Sequence, residues 1–479
     1  MRALAAAVLA LPALAGAARP AAAHAFGQRY DLPLPLDFYL AAAGTAVLLS
    51  FVIAALALRT STAGARWQLA LPRLPPALEG AVHALLAALG VLLFLLVLAA
   101  GCLGADEPTG NIAPVLVWVL WWVGLLLLSA LLGNLWPRLD PWSALFRIAR
   151  RALRHRPQAA TAGRGSAWPV VLLFFAFAWL ELASHLGESP RGLAALVLLY
   201  SLGAWTAMAL CGEAAWQATA DPFRRVFGLF GRFAPLGRDA SGRLVLRPPG
   251  AGLLGDHPQG LGAVAFVILV LATVTFDGLS ETPLWAAALA WLSESQWLRP
   301  FLLWLSGQGV DLLAAAKTAG LIVTALGFFA VFAAVCRLST LAGGSGVSGR
   351  QARSAFALSF LPIAIAYHAA HYLSYLLLAG QLAIPLASDP LGLGWDLFGT
   401  RDRRIDLGVI DAKTVWYVAV VAIVTGHVIA VVLAHVEALR LFPTRRAALF
   451  SQLPMLALML AFTMTSLWIL SQPIVQEPG

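Results

Sequence analysis

This sequence is poor in charge, and that shortage decides its class. Of 479 residues only 11% are Asp, Glu, Lys or Arg, while 60% are hydrophobic. A soluble chain of this length needs far more polar side chains to cover its surface. Cysteine is scarcer still: Cys102, Cys211 and Cys336 form no close motif, so no disulfide framework is implied. No HExxH, no CxxC and no phosphate-binding loop occurs, so none of the common short signatures names a chemistry. The net charge of +9 does not indicate nucleic acid, because the arginines gather in loops between apolar runs. In such loops they set membrane topology.

What is present is a succession of apolar runs. At about 20 residues per crossing, the chain accommodates about ten spans. The expected fold is therefore all-α, a polytopic transmembrane helix bundle with short surface helices. Residues 1–23 read as a secretory signal: Arg2, an apolar core over Ala3–Ala17, and the small residues Ala21-Ala22-Ala23 before the cut. Cleavage there makes His24 the new N-terminus, whose amine and imidazole together can chelate copper. Residues 24–37 form an outer leader, 38–471 the membrane domain and 472–479 a tail.

The spans are expected near Phe38–Leu58, Leu78–Ala100, Ile112–Gly133, Trp168–Gly187, Leu193–Glu213, Leu261–Leu279, Leu313–Cys336, Ser354–Leu378, Thr414–His435 and Leu449–Leu470. Residues 281–311, broken by Pro283 and Pro300, read as short helices on the outer face. With both mature termini outside, the loops near 59–73, 137–164, 221–257, 337–353 and 437–446 all fall on the inner side, and these are the arginine-rich ones. That pattern sets the orientation, and the expected location is a bacterial inner membrane. Two of these loops share an echo, Asp140-Pro141-Trp142 and Asp221-Pro222-Phe223. In each, Asp caps and Pro opens an amphipathic surface helix. Repeated units and independent origins both account for the echo.

The organising stretch is Leu361–Leu378, LPIAIAYHAAHYLSYLLL. His368 and His371 lie about 60° apart around its axis and roughly 4.5 Å apart along it. Ionisable side chains inside hydrocarbon usually face a protein interior or a watery cavity. The topology brings further polar residues to comparable depth: Glu181 and His185 in ELASH, Asp277, and His427. Imidazoles with carboxylates suit a divalent transition metal, zinc or copper, and an open position makes such a site catalytic. The candidate ligands are His368, His371, His185, His427 and His24, with Asp277 or Glu181 as ligand or general base. The same residues also suit a relay that carries protons or an ion. Haem held between His368 or His371 and His427 is a third reading, without a CxxCH attachment to support it.

The segment from His24 to Pro35, HAFGQRYDLPLP, resembles the mature start of a bacterial family of polytopic membrane proteins called fenitrothion hydrolases. The layout of signal sequence and about ten spans is similar too. The resemblance implies cleavage of organophosphate esters and assigns no catalytic residues. Two readings follow from residues and resemblance together: a metal-dependent phosphotriester hydrolase open to the outer side, or a transporter or handling protein for a metal ion or small solute. The expected partners are the lipid bilayer, a small-molecule or metal-ion ligand, and a partner membrane subunit.

Overall fold

The computed structural model describes residues 32–59, 68–73, 75–153, 166–239, 241–344 and 346–472. The expected signal segment, His24 with most of the leader, and the tail from 473 lie outside the described residues.

The described chain is a helix bundle. α1 (Leu36–Ala57) and α2 (Pro76–Leu103) lead to α3 (Ile112–Leu132), and α4 (Pro141–Ala152) then lies across one end. α5 (Trp168–Leu182) and α6 (Pro190–Cys211) precede a second surface helix, α7 (Pro222–Phe233). α8 (Gly260–Ser280) is followed by two short helices, α9 (Pro283–Glu294) and α10 (Arg299–Gly307). α11 (Leu312–Gly343), α12 (Leu361–Ala379), α13 (Ala412–Leu441) and α14 (Leu453–Ser471) complete the bundle. Among the described residues nine helices are long and apolar enough to cross a bilayer. α5 is apolar but has only 15 residues.

Local chemistry sets the boundaries. Proline occupies the first turn of α2, α4, α6, α7 and α9, where its missing N–H costs nothing. Ser189, Asp311 and Asp411 cap α6, α11 and α13 by accepting hydrogen bonds from first-turn backbone N–H groups. α3 departs from ordinary geometry: Val115–Leu125 is wound as a π-helix, a rare form that recurs at functional sites.

Alternating helix direction sorts the loops to two ends. At one end a small antiparallel sheet joins β1 (Leu69–Ala70) and β2 (Leu236–Arg238) to the two edges of β3 (Leu244–Leu246). There Arg445 donates to the Ala55 carbonyl, Glu437 accepts from the Gly255 N–H at 2.9 Å, and Ser354 donates to the Pro258 carbonyl. Buried His435 bridges three segments, with Gln452 Oε1 at 2.9 Å and the Leu58 carbonyl at 3.0 Å. At the other end Ala105 donates to the Leu391 carbonyl and Arg191 N–H to Asp106. The arginine-rich loops thus share the first end. α9 and α10 belong to the second, so they leave the alternation intact.

The surface helices of the Asp-Pro echo meet each other. Asp140 accepts from the Ser143 N–H and Asp221 from the Arg224 N–H, and the Trp142 ring stacks on Phe223 at 5.7 Å. Both aspartates are buried. Burial, and then the Asp140 charge, push the Asp221 carboxyl from about 3.8 up to about 7. A pKa raised by folding gives stability that is complete below the unfolded value and is lost as pH rises through the folded one. Asp221→Asn keeps the cap acceptor and removes the charge. It should melt above wild type at about pH 8 and level with it near pH 4, measured by thermal unfolding in detergent.

Depth of burial singles out two helices. In α8 and in the segment containing α12, 83% of the most apolar window is buried, against half or less in every other spanning window. These two form the centre of the bundle, so their polar side chains face protein rather than lipid. Glycine sets their spacing against the neighbours. A Cβ on Gly426 of α13 would stand 2.7 Å from the Pro362 carbonyl oxygen and closer still to the Ala366 side chain. Small residues of this kind let membrane helices approach.

Candidate metal centre

Asp277 lies one turn before the end of α8, and Glu281 follows as the capping residue of that helix. Four residues apart, they share one face. Across from them α12 presents His371 and Tyr372. His371 Nε2 stands 3.0 Å from Asp277 Oδ2, and the Tyr372 hydroxyl donates a short hydrogen bond to the same oxygen. The Tyr367 ring stacks on the His371 imidazole with centroids 5.9 Å apart. One ligand atom from each of Asp277, Glu281 and His371 falls within 4.8 Å of the other two.

This arrangement can hold a metal ion. Ligand atoms of a tetrahedral ion sit about 2.0–2.1 Å from it and so roughly 3.3 Å from each other. The Asp277–His371 pair is already at that separation, and Glu281 needs a small side-chain adjustment to close it. Two carboxylates and one imidazole are oxygen and nitrogen donors without sulfur, a set for zinc or a harder divalent ion rather than Cu(I). Tyr372 holds the Asp277 carboxylate through the same oxygen that faces His371, in the manner of the outer partners of metal ligands.

A cavity adjoins the centre on the side toward α7 and the arginine-rich end. It is lined by Glu181, His368, Thr273 and Tyr372 among aromatic and aliphatic side chains, and has about 20 Å³ for the centre of a water-sized occupant. His368 is buried in its wall, with the rings of Tyr372, Phe230 and Trp122 at 4.7, 6.0 and 6.1 Å. A haem is far too large for this space.

The remaining expected residues separate from the centre. Glu181 borders the cavity and lies outside the three-ligand group. His185, expected beside Glu181, is exposed instead, with Glu188 at 2.6 Å and Asp311 at 3.4 Å. The reason is local: α5 ends at Leu182, so the helical register that would stack His185 over Glu181 is broken by the turn that follows. His427 is buried on α13, where Nδ1 faces the Ile423 carbonyl at 2.8 Å, and it too lies outside the group. Glu281 was missed by sequence reasoning, which assigned it to the outer segment. Its spacing of four from Asp277 was the available signal.

Comparison of the chain with family models, with curated proteins and with solved structures gives no match.

Proposed function

We propose that this is a bacterial inner-membrane protein whose Asp277, Glu281 and His371 bind a divalent transition metal, zinc foremost, and that it hydrolyses organophosphate-type esters. The convergence of the three ligand atoms between the two most buried helices carries this reading. The resemblance of residues 24–35 to fenitrothion hydrolases supplies the substrate class. When bound, such an ion lowers the pKa of a water it holds to about 7. Asp277 would orient that water, held in register by Tyr372. Glu281, at the helix end, would stand nearest the outer opening. An apolar ester would arrive through lipid, past α9, α10 and the turn between them, where the exposed Trp291, Trp297 and Trp304 suit a membrane interface.

A second reading is carriage of a metal ion or small solute. One observation favours it: the cavity inward of the centre reaches Val226 and Phe230 on α7, at the arginine-rich end. A chromogenic phosphotriester assay on metal-loaded protein decides between the two. Turnover lost in His371→Ala supports hydrolysis. Metal uptake into vesicles without turnover, and dependent on His371, supports carriage.

Orientation is tested separately. Cys102 and Cys211 are exposed near the ends of α2 and α6, at opposite ends of the bundle. In spheroplasts carrying single-cysteine variants, a membrane-impermeant maleimide should label Cys102, and should label Cys211 only after lysis. The reverse pattern would turn the protein over in the membrane.

A further inference from the structure

The cavity beside His368 holds more than packing. His368 is only 4% exposed, and its Nε2 has no hydrogen-bond partner among the described residues. Nε2 is therefore the polar atom of this ring that an occupant of the cavity would satisfy. A buried polar atom without a partner is costly, and native proteins rarely leave one without a use. The same wall carries the Glu181 side chain, with Trp122 also lining the cavity. Apart from Thr273, whose hydroxyl donates to the Val270 carbonyl, the rest of the lining is aromatic or aliphatic, including Trp122, Phe174, Phe230 and Tyr372.

Each of these features selects for the same occupant. A carboxylate and an imidazole nitrogen are acceptors, so they call for a donor or a positive charge. Aromatic faces carry negative quadrupoles and attract cations. About 20 Å³ admits one water-sized body and excludes an organic molecule. Carboxylate, imidazole and rings converge on the centre of a bundle, where a charge is retained only with such company.

We propose that this cavity binds a single water-sized monovalent cation, held by Glu181 and His368 within the ring cage. It is distinct from the metal centre and does not depend on a metal being bound there. Sodium and ammonium share the required size and charge, and the test separates them.

The experiment uses the full chain, purified in detergent after treatment with a chelator. Thermal unfolding is followed in sodium, ammonium or choline chloride at equal ionic strength, and binding of radioactive sodium is counted directly. Wild type should melt several degrees higher in sodium or in ammonium than in choline. Glu181→Gln, which keeps the shape and removes the charge, should weaken cation binding at least about tenfold, as should His368→Phe. Should His368→Phe fail to fold, His368→Gln serves in its place. The metal content of the same variants, reloaded with zinc, should match wild type, which separates this site from the one at Asp277. Equal melting in all three salts, or a wild-type response in Glu181→Gln, overturns the proposal and leaves only a buried water.

Discussion

His371→Ala protein, purified beside wild type and loaded with zinc, is expected to come through dialysis without its metal. The imidazole is one of three ligands within 4.8 Å, and it is the single nitrogen donor among them. Even outer partners of metal ligands contribute about 10–100-fold in affinity, so removal of a ligand should cost at least about 100-fold. Asp277→Asn should act with similar force, because a neutral amide is a poor ligand for a hard divalent ion. Tyr372→Phe should be milder, about tenfold, since it frees the Asp277 carboxylate without removing it. Competition with a chromophoric chelator and elemental analysis read all three. Equal metal in wild type and His371→Ala would remove the centre. A Tyr372→Phe loss as large as that of His371→Ala would make the tyrosine a ligand rather than an anchor.

Gly426→Leu is expected to give the largest loss of stability among single changes at the bundle centre. The new side chain must displace the Pro362 carbonyl and the Ala366 methyl, which belong to the buried first half of α12. Overpacking of this kind costs about 1–3 kcal/mol where side chains can yield, and backbone yields less readily. The melting temperature should fall by several degrees, and metal affinity should fall with it, because α12 carries His371. Gly203→Leu on α6 is the control: nothing lies within 4 Å of the Cβ it would add, so it should melt with wild type. A Gly426→Leu protein as stable as that control would mean that α12 and α13 are not held as closely as their backbones indicate.

Much of this architecture is readable from the chain. Long apolar runs locate the spans within a few residues, because a helix is the one structure that satisfies a single segment's backbone in lipid. The capping aspartates and first-turn prolines mark α4 and α7 before any coordinates. The central helix is legible because two histidines interrupt an apolar run. Less legible is anything decided where a helix stops. His185 and Glu181 share a helical spacing on paper, and the end of α5 at Leu182 separates them. Glu281 carries its own spacing from Asp277, yet the apparent end of the span hid it. The pairing of β1 with β3 joins segments more than 170 residues apart, and two- and three-residue strands leave no periodic trace. Nor does any local pattern announce the π-helical turns of α3.

The brevity of α5 has a consequence for the bilayer itself. Fifteen residues rise about 22 Å, while the hydrocarbon slab is about 30 Å thick. The lipid beside this helix must thin, or the headgroup layer must dip to meet its end. Either adjustment would draw the aqueous boundary toward Glu181, a local dimple in the leaflet above the protein's most polar interior.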